Sequence, residues 1–393
     1  MKLKKTIFKR DNILLLSSII LIILTLSYFS TGFYDLTINQ NTAVDLFSRW
    51  QEQQYIYRGL YPYDAMKGSP NVIPEIGTIN SGGYPPWAFF TGFIFFPPIS
   101  WELTRFYHLI LNVLSILVLA VFVYQIAFPY GKPKALFTLT ACLALSSHKS
   151  TLAMGQYGII INALLIIMFW LIQRNKNVWA GLIFAVAMVK PNISAPYFLV
   201  LVIQKRIKAI VAFSLYIVFG SINIWIITKL TPIYMLDKIF GQSKYFADKG
   251  YSAIGFVTAL GFDPKQATVF IGIIGILAIA ILVYLCRYYS LLNLFAICSV
   301  IGRVFVYHRH YDNLMLVFLL LAIIKITFEN TNKLNILFFS LVALSLWVPT
   351  RIIDYANFEV VQIIIWIAAL GHIFIRGKYV GVENCNAGQG SRQ

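Results

Sequence analysis

Asp45 stands among apolar neighbours in Ala43-Val44-Asp45-Leu46-Phe47, just past the first long apolar run. A carboxylate held against apolar surface accepts a proton more readily than a solvated one, which makes it a candidate general base; a solvated loop acid is the plainer alternative. Lys190 sits in Val189-Lys190-Pro191-Asn192, a proline-made break inside an apolar stretch. A lysine at membrane depth costs a few kcal/mol and needs a partner or a water-filled cavity. Snorkelling is the alternative, but a lysine beside a turn and far from both helix ends snorkels poorly. An ammonium there suits a phosphate or pyrophosphate group. Arg303, His308, Arg309 and His310 make a cationic patch in the stretch 303–313. It reads either as an interface anchor or as charge that stabilises a departing phosphate. Gln156, after Gly155, is a neutral hydrogen-bonder at a turn, equally a structural cap. Asp64, Tyr84, Gln156, Asn192, His310 and Asp312 complete the set, read as lining of a substrate cavity. For Asp64, in Leu60-Tyr61-Pro62-Tyr63-Asp64, a simple turn residue is the default.

The elements that must position these groups are membrane helices. The chain has 393 residues, 59% of them hydrophobic and 12% charged, far too apolar for a soluble domain. Its formal charge of +17 is interleaved with the apolar runs. Such a pattern reports Lys and Arg on cytoplasmic loops and points to no nucleic-acid partner. Cys142, Cys286, Cys298 and Cys385 show no metal-ligand spacing and read as packing residues.

Lys2, Lys4, Lys5, Lys9 and Arg10 precede an apolar run over 13–33. That run is long enough to span and too long for a signal-peptide core, so it reads as a retained first helix with its basic end inside. A first outer loop covers 34–85. Within it, 44–57 has no Pro or Gly and suits a helix lying on the membrane surface. Tyr84-Pro85-Pro86 then starts a helix that meets Pro97-Pro98. At about 17 Å that helix is too short to cross, which predicts an interfacial or re-entrant piece.

Two hairpins decide the topology. Lys132 and Lys134 flank one side of the first and Arg174 and Lys176 the other, with Gly155-Gln156 between. The second runs from Arg174 and Lys176 to Lys205, Arg206 and Lys208, with Lys190-Pro191-Asn192 between. Basic ends inside put both breaks on the outer side. The limbs of the second hairpin reach only about 20 Å. Lys190 should therefore lie below the surface, in a protein-lined cavity, where irregular backbone is tolerated. Further spans are expected over about 207–227, 267–285, 291–302, 312–326, 334–348 and 360–375, with a second outer loop over 228–266. The expectation is one all-α polytopic domain of roughly 11–13 membrane helices with short broken helices. Residues 86–376 form the remaining bundle, 377–393 form a cytoplasmic tail, and both termini lie inside.

No G-x-x-x-x-G-K-[ST], strand-borne G-x-G-x-x-G or H-E-x-x-H occurs, so ATP, nicotinamide and zinc-protease readings lack support. No D-x-D occurs either, which weakens a metal-held nucleotide-sugar donor; no metal site or cofactor is expected. An ordered set of short motifs does occur: Asp45, Gly59-Leu60-Tyr61-Pro62-Tyr63-Asp64, Tyr84-Pro85-Pro86, Gly155-Gln156, Gly181 with Lys190-Pro191, and Tyr307-His308-Arg309-His310-Tyr311-Asp312-Asn313. In that order the chain resembles membrane glycosyltransferases of the GT-C class, most closely glycosyltransferase family 87, over 13 to about 330. The resemblance implies transfer of a sugar from a polyprenyl-phosphate donor to a glycan or glycolipid acceptor, with the site facing outside a bacterial plasma membrane. It is similar in this to mannosyltransferases that act on lipid-linked glycans. Carried over, Asp45 is the general base of an inverting transfer, and Lys190 with one or more of Arg303, His308 and Arg309 neutralises the leaving phosphate. Unlike some of the class, no soluble carbohydrate-binding domain follows the last helix. Two other classes compete. A lipid-linked-sugar transporter shares broken helices at midplane, but the roughly 50-residue polar loop and the lack of a repeat favour an enzyme. A surface-polysaccharide polymerase or ligase differs chiefly in moving a preassembled glycan.

Overall fold

The computed structural model describes residues 2–66, 68–79, 82–242, 252–349, 352 and 358–376. Among the described residues every regular element is a helix, with one isolated bridge between Met66 and Ile79. Helix α1 (Lys2–Thr37) is followed by α2 (Val44–Tyr57), α3 (Pro86–Phe95), α4 (Trp101–Ala127) and α5 (Lys132–Leu143). Next come α6 (Ser146–Met154), α7 (Gly158–Gln173), α8 (Asn177–Ala187), α9 (Pro191–Ser194) and α10 (Phe198–Ile203). Helices α11 (Ile207–Thr228), α12 (Pro232–Gln242), α13 (Ala253–Ala259), α14 (Pro264–Leu285) and α15 (Leu291–Phe305) continue the chain. A 3₁₀ segment, His310–Leu316, then leads into α16 (Val317–Glu329), α17 (Lys333–Trp347) and α18 (Glu359–Arg376).

Six segments among the described residues are long and apolar enough to cross a bilayer: Asp11–Thr37, Trp101–Tyr130, Ile207–Thr228, Pro264–Leu285, His310–Glu329 and Glu359–Arg376. Helices α6 and α7 together make a seventh, bent by 115°. The remaining apolar helices, including Pro86–Phe95, Leu291–Phe305 and Lys333–Trp347, are 10–17 residues long. The expected 11–13 membrane helices thus divide into spans and shorter apolar pieces. Burial sorts the spans. Five of them have 17–33% of their apolar window buried, whereas His310–Glu329 has 83%. The five turn apolar side chains outward, as lipid solvates them; the sixth is the axis of the bundle.

A helix does form over the expected 44–57, as α2, but it buries Leu46, Gln51, Glu52, Gln53, Tyr55 and Ile56; the short helix after Tyr84-Pro85-Pro86 is α3, with Pro86 in its first turn. The turns expected on one side pair with one another. Tyr130 Oη donates to Glu329 Oε1 at 2.7 Å, Arg206 Nη1 donates to Asn175 Oδ1 at 2.7 Å, and Tyr289 Oη donates to the Phe374 carbonyl at 2.9 Å. The segment expected as the second outer loop, 228–266, carries α12 and α13, with its 243–251 part outside the described residues; so is the expected tail 377–393.

One expectation fails in this region. The stretch 303–313 is no surface patch: Arg303 and His308 are 1% and 0% exposed. The reason is that α15 runs to Phe305, past the expected end near 302, so Arg303 remains on the helix and faces the core. The 3₁₀ segment that follows is buried as well, at His310, Asp312 and Asn313.

Candidate active site

Gly155 is the hinge that builds the centre. It ends α6 with φ 68, in the left-handed region, while Gln156 N–H closes back on the Thr151 carbonyl at 2.9 Å. A Cβ at Gly155 would collide with the Leu46 side chain on α2. Glycine therefore provides both the sharp bend and the seat for α2. The start of α2 is tied to the same place, because Ala43 N–H donates to the Ala153 carbonyl at 2.7 Å. Ala43 itself holds φ 57, a strained value for a residue with a side chain. Asp45 is thereby delivered beside Gln156.

From Asp45 a chain of polar contacts runs into the bundle. Gln156 Nε2 donates to Asp45 Oδ2. Lys190 Nζ donates to Gln156 Oε1 at 2.9 Å and to Asp312 Oδ1 at 2.7 Å. Asp312 Oδ2 accepts from the Arg309 backbone N–H at 3.2 Å and faces His308 Nδ1 at 3.2 Å. With acceptors at Asp45 and a donor at Lys190, only one orientation of the Gln156 amide satisfies both neighbours. The same logic fixes His308: a carboxylate accepts only, so Nδ1 carries the proton. Burial lowers the imidazole pKa, against the pull of Asp312. Tyr311 covers this chain, with Lys190 Nζ 5.0 Å from its ring centroid and Gln156 Nε2 3.4 Å from its hydroxyl.

The groups differ in access. Lys190 and Asp312 are 6% and 2% exposed, so their ion pair is shielded from water and from salt. Asp45 and Arg309 are half-buried. Asp45 makes its hydrogen bond through Oδ2, which leaves its other oxygen to meet a hydroxyl. Arg309 Nε donates to the Tyr307 hydroxyl at 2.9 Å.

Asp45, Gln156, Lys190, His308 and Asp312 are thus brought together, with Arg309 joined through its backbone. Four expected site residues have other duties. Arg303 Nε donates to Asn313 Oδ1 at 2.6 Å and its guanidinium lies 5.5 Å from the Trp366 ring centroid, which makes it a strut between α15 and α18. His310 Nε2 lies 3.4 Å from Glu359 Oε1. Asn192 Nδ2 donates to the Tyr307 carbonyl at 3.1 Å and so pins the loop that carries His308. Asp64 accepts from the Tyr234 hydroxyl at 2.9 Å and pairs with Lys238 at 3.3 Å, tying the first loop to α12 rather than joining the Asp45 chain. Tyr84, the remaining expected residue, lies under Arg49, whose guanidinium carbon is 4.2 Å from its ring centroid.

Sequence reasoning passed over Tyr311 and a second polar group on α2. Arg49 Nη1 lies 2.6 Å from Glu52 Oε2. Burial pushes the Glu52 carboxyl up from its ordinary 4.5 to about 8, against the pull of Arg49 and the Tyr63 hydroxyl. The signal was available: positions 45, 49 and 52 share one face of a helix. Among the described residues no group of three His, Cys, Asp or Glu is placed to hold a metal ion.

An all-helical bundle with several apolar spans defines a polytopic membrane protein, and a buried ionic chain leading to a half-buried carboxylate is its candidate site. Residues 83–307, more than half of the chain, match the model of glycosyltransferase family 87, and the chain belongs to that family. It is a membrane glycosyltransferase, with a sugar donor, an acceptor and a bilayer as its partners. The match contains Tyr84, Gln156, Lys190 and Arg303; Asp45 and Asp312 flank it. No curated protein sequence matches the chain.

Proposed function

We propose that this glycosyltransferase moves a hexose, mannose by family resemblance, from a polyprenyl-phosphate donor to a lipid-linked or surface glycan. The transfer takes place at the outer face of a bacterial plasma membrane, in a single domain. Asp45 takes the proton of the acceptor hydroxyl. The acceptor oxygen attacks the anomeric carbon from the face opposite the lipid phosphate. The bond from that carbon to the phosphate oxygen breaks, the phosphate leaves with the electron pair, and configuration inverts. Lys190 and Arg309 offset the charge that grows on the phosphate. Asp312 and His308 hold Lys190 in place, and Gln156 keeps Asp45 in register with it.

The observation that carries this reading is the unbroken contact chain Asp45–Gln156–Lys190–Asp312. It joins a half-exposed acid to a shielded cation, the two charges that deprotonation and phosphate departure need. A lipid donor explains why such a pair sits in a membrane bundle: the tail partitions into the bilayer while the phosphate lies at its edge.

The test is transfer by the purified protein in lipid nanodiscs, from polyprenyl-phosphate mannose to extracted membrane glycolipid. The expected product carries the anomeric configuration opposite to the donor's. Asp45→Asn should lose roughly 10²–10⁴-fold in turnover, as removal of a general base does, with donor binding retained. Retention of configuration, or full activity in Asp45→Asn, would overturn the mechanism.

A further inference from the structure

Helix α2 presents a second group of polar side chains on the face that carries Asp45. Arg49, Glu52 and Gln53 line a pocket completed by Tyr84, Phe89 and Tyr157. It is half open, with about 220 Å³ of empty space that includes its mouth. Glu52 and Gln53 are 2% and 1% exposed, yet Glu52 Oε1 and Gln53 Nε2 have no hydrogen-bond partner. Buried polar atoms are ordinarily satisfied, and leaving one unmet costs about 1–3 kcal/mol. Unmet atoms on two consecutive residues that line the pocket, one acceptor and one donor, point to a ligand that supplies the missing partners. Gly92 of α3 is part of this construction, because a Cβ there would collide with the Gln53 amide oxygen.

The chemistry of the pocket selects the ligand. Arg49 is already engaged by Glu52 on one side and by the face of Tyr84 on the other. Its charge is offset by Glu52, an anion entering here would meet that carboxyl, and Arg49 Nη1, buried without a hydrogen-bond partner, adds a further donor for a neutral hydroxyl. A hydroxyl both donates and accepts, so neighbouring hydroxyls on a ring satisfy Glu52 Oε1 and Gln53 Nε2 together. The aromatic rings suit the apolar C–H face of the same ring. Tyr84 links the pocket to the Asp45 chain: Arg49 lies over its ring, and its other neighbour Tyr157, with ring centroids 6.2 Å apart, directly follows Gln156.

We propose that this pocket is a sugar subsite in which Glu52 and Gln53 read hydroxyls along one edge of a hexose next to Asp45. The assignment rests on the glycosyl-transfer reading and names a binding site for it; the sugar belongs either to the donor or to the acceptor. The experiment uses the full chain in nanodiscs, with methyl α-mannoside, methyl α-glucoside, methyl α-galactoside and inorganic phosphate as probes in saturation-transfer NMR. At least one hexoside should bind and phosphate should not compete with it. Glu52→Gln and Gln53→Met should each weaken that binding roughly tenfold, the scale of one hydrogen bond to a polar ligand group, with thermal unfolding showing that both variants fold. Asp45→Asn should keep hexoside binding. Inhibition of transfer by the bound hexoside, competitive against polyprenyl-phosphate mannose or against the glycolipid, tells which substrate's sugar the pocket holds. No hexoside binding to an active wild-type protein, or binding untouched by both substitutions, overturns the subsite alone. Hexoside binding without any transfer overturns the transferase mechanism and leaves the subsite standing.

Discussion

Lys190 is the residue on which the most depends, because its charge is both costly and shared. Lys190→Ala leaves Asp312 buried without its cation, a loss of about 3–5 kcal/mol when one partner of a buried pair is removed. His308 and the Arg309 N–H still contact the carboxylate, so the lower end of that range is expected. Paired replacement, Lys190→Met with Asp312→Asn, should restore most of the thermal stability and none of the transfer. Recovery of transfer in the double variant would make Lys190 structural only. Glu52 provides a pH signature. Its folded pKa, about 8, lies above the ordinary 4.5, so the folded state binds more protons than the unfolded state between those values. That contribution to stability is full below about pH 4.5 and is lost as pH rises through about 8. Arg49, Tyr63 and Tyr84 face the same carboxyl, and only Arg49 and Tyr63 oppose the rise. The unfolding temperature of wild type should therefore fall relative to Glu52→Gln as pH rises across that window. A constant difference would show that Glu52 is an ordinary ion-paired carboxylate.

At the scale of elements, the breaks matter more than the helices. Gly155→Ala puts a side chain at positive φ and drives it into Leu46. The backbone part alone costs about 1–2 kcal/mol. The larger expected effect is on activity, since α2 must move away from Gln156; transfer should fall further than stability, read as turnover against unfolding temperature. These breaks were legible in the sequence because each is made by Gly or Pro inside an apolar run, and the depth of Lys190 followed from the length of its hairpin limbs. Helix α2 was legible as well, from a stretch without breakers. Arg303 was not: a cation one residue beyond an expected helix end looks like a surface anchor until the helix is known to continue to Phe305. The Arg49–Glu52–Gln53 group was hidden for a related reason. Its residue types are ordinary in a loop, and only packing against α3 buries them. Asp64 shows the reverse case, a motif residue whose contacts are with α12.

For the whole molecule, the buried axis His310–Glu329 and the lipid-facing ring place the polar chain toward one end of the bundle, with the basic turns paired at the other. In the proposed reaction the Asp45 end faces outside. Single cysteines at Ser69 and at Lys176 test it in a background where the native thiols are replaced. A membrane-impermeant maleimide should label the first in intact cells and the second only after permeabilisation; the opposite order would put the centre inside and remove a polyprenyl-phosphate donor on the outer leaflet. The described native cysteines, Cys142, Cys286 and Cys298, are buried and belong to the packing. The central claim is that Asp45 is the base of a glycosyl transfer, and glycolipid and surface-glycan profiling of a strain lacking the protein tests it most directly. Complementation with wild type should restore one missing sugar, and complementation with Asp45→Asn at equal protein level should not. A profile fully restored by Asp45→Asn would contradict the account.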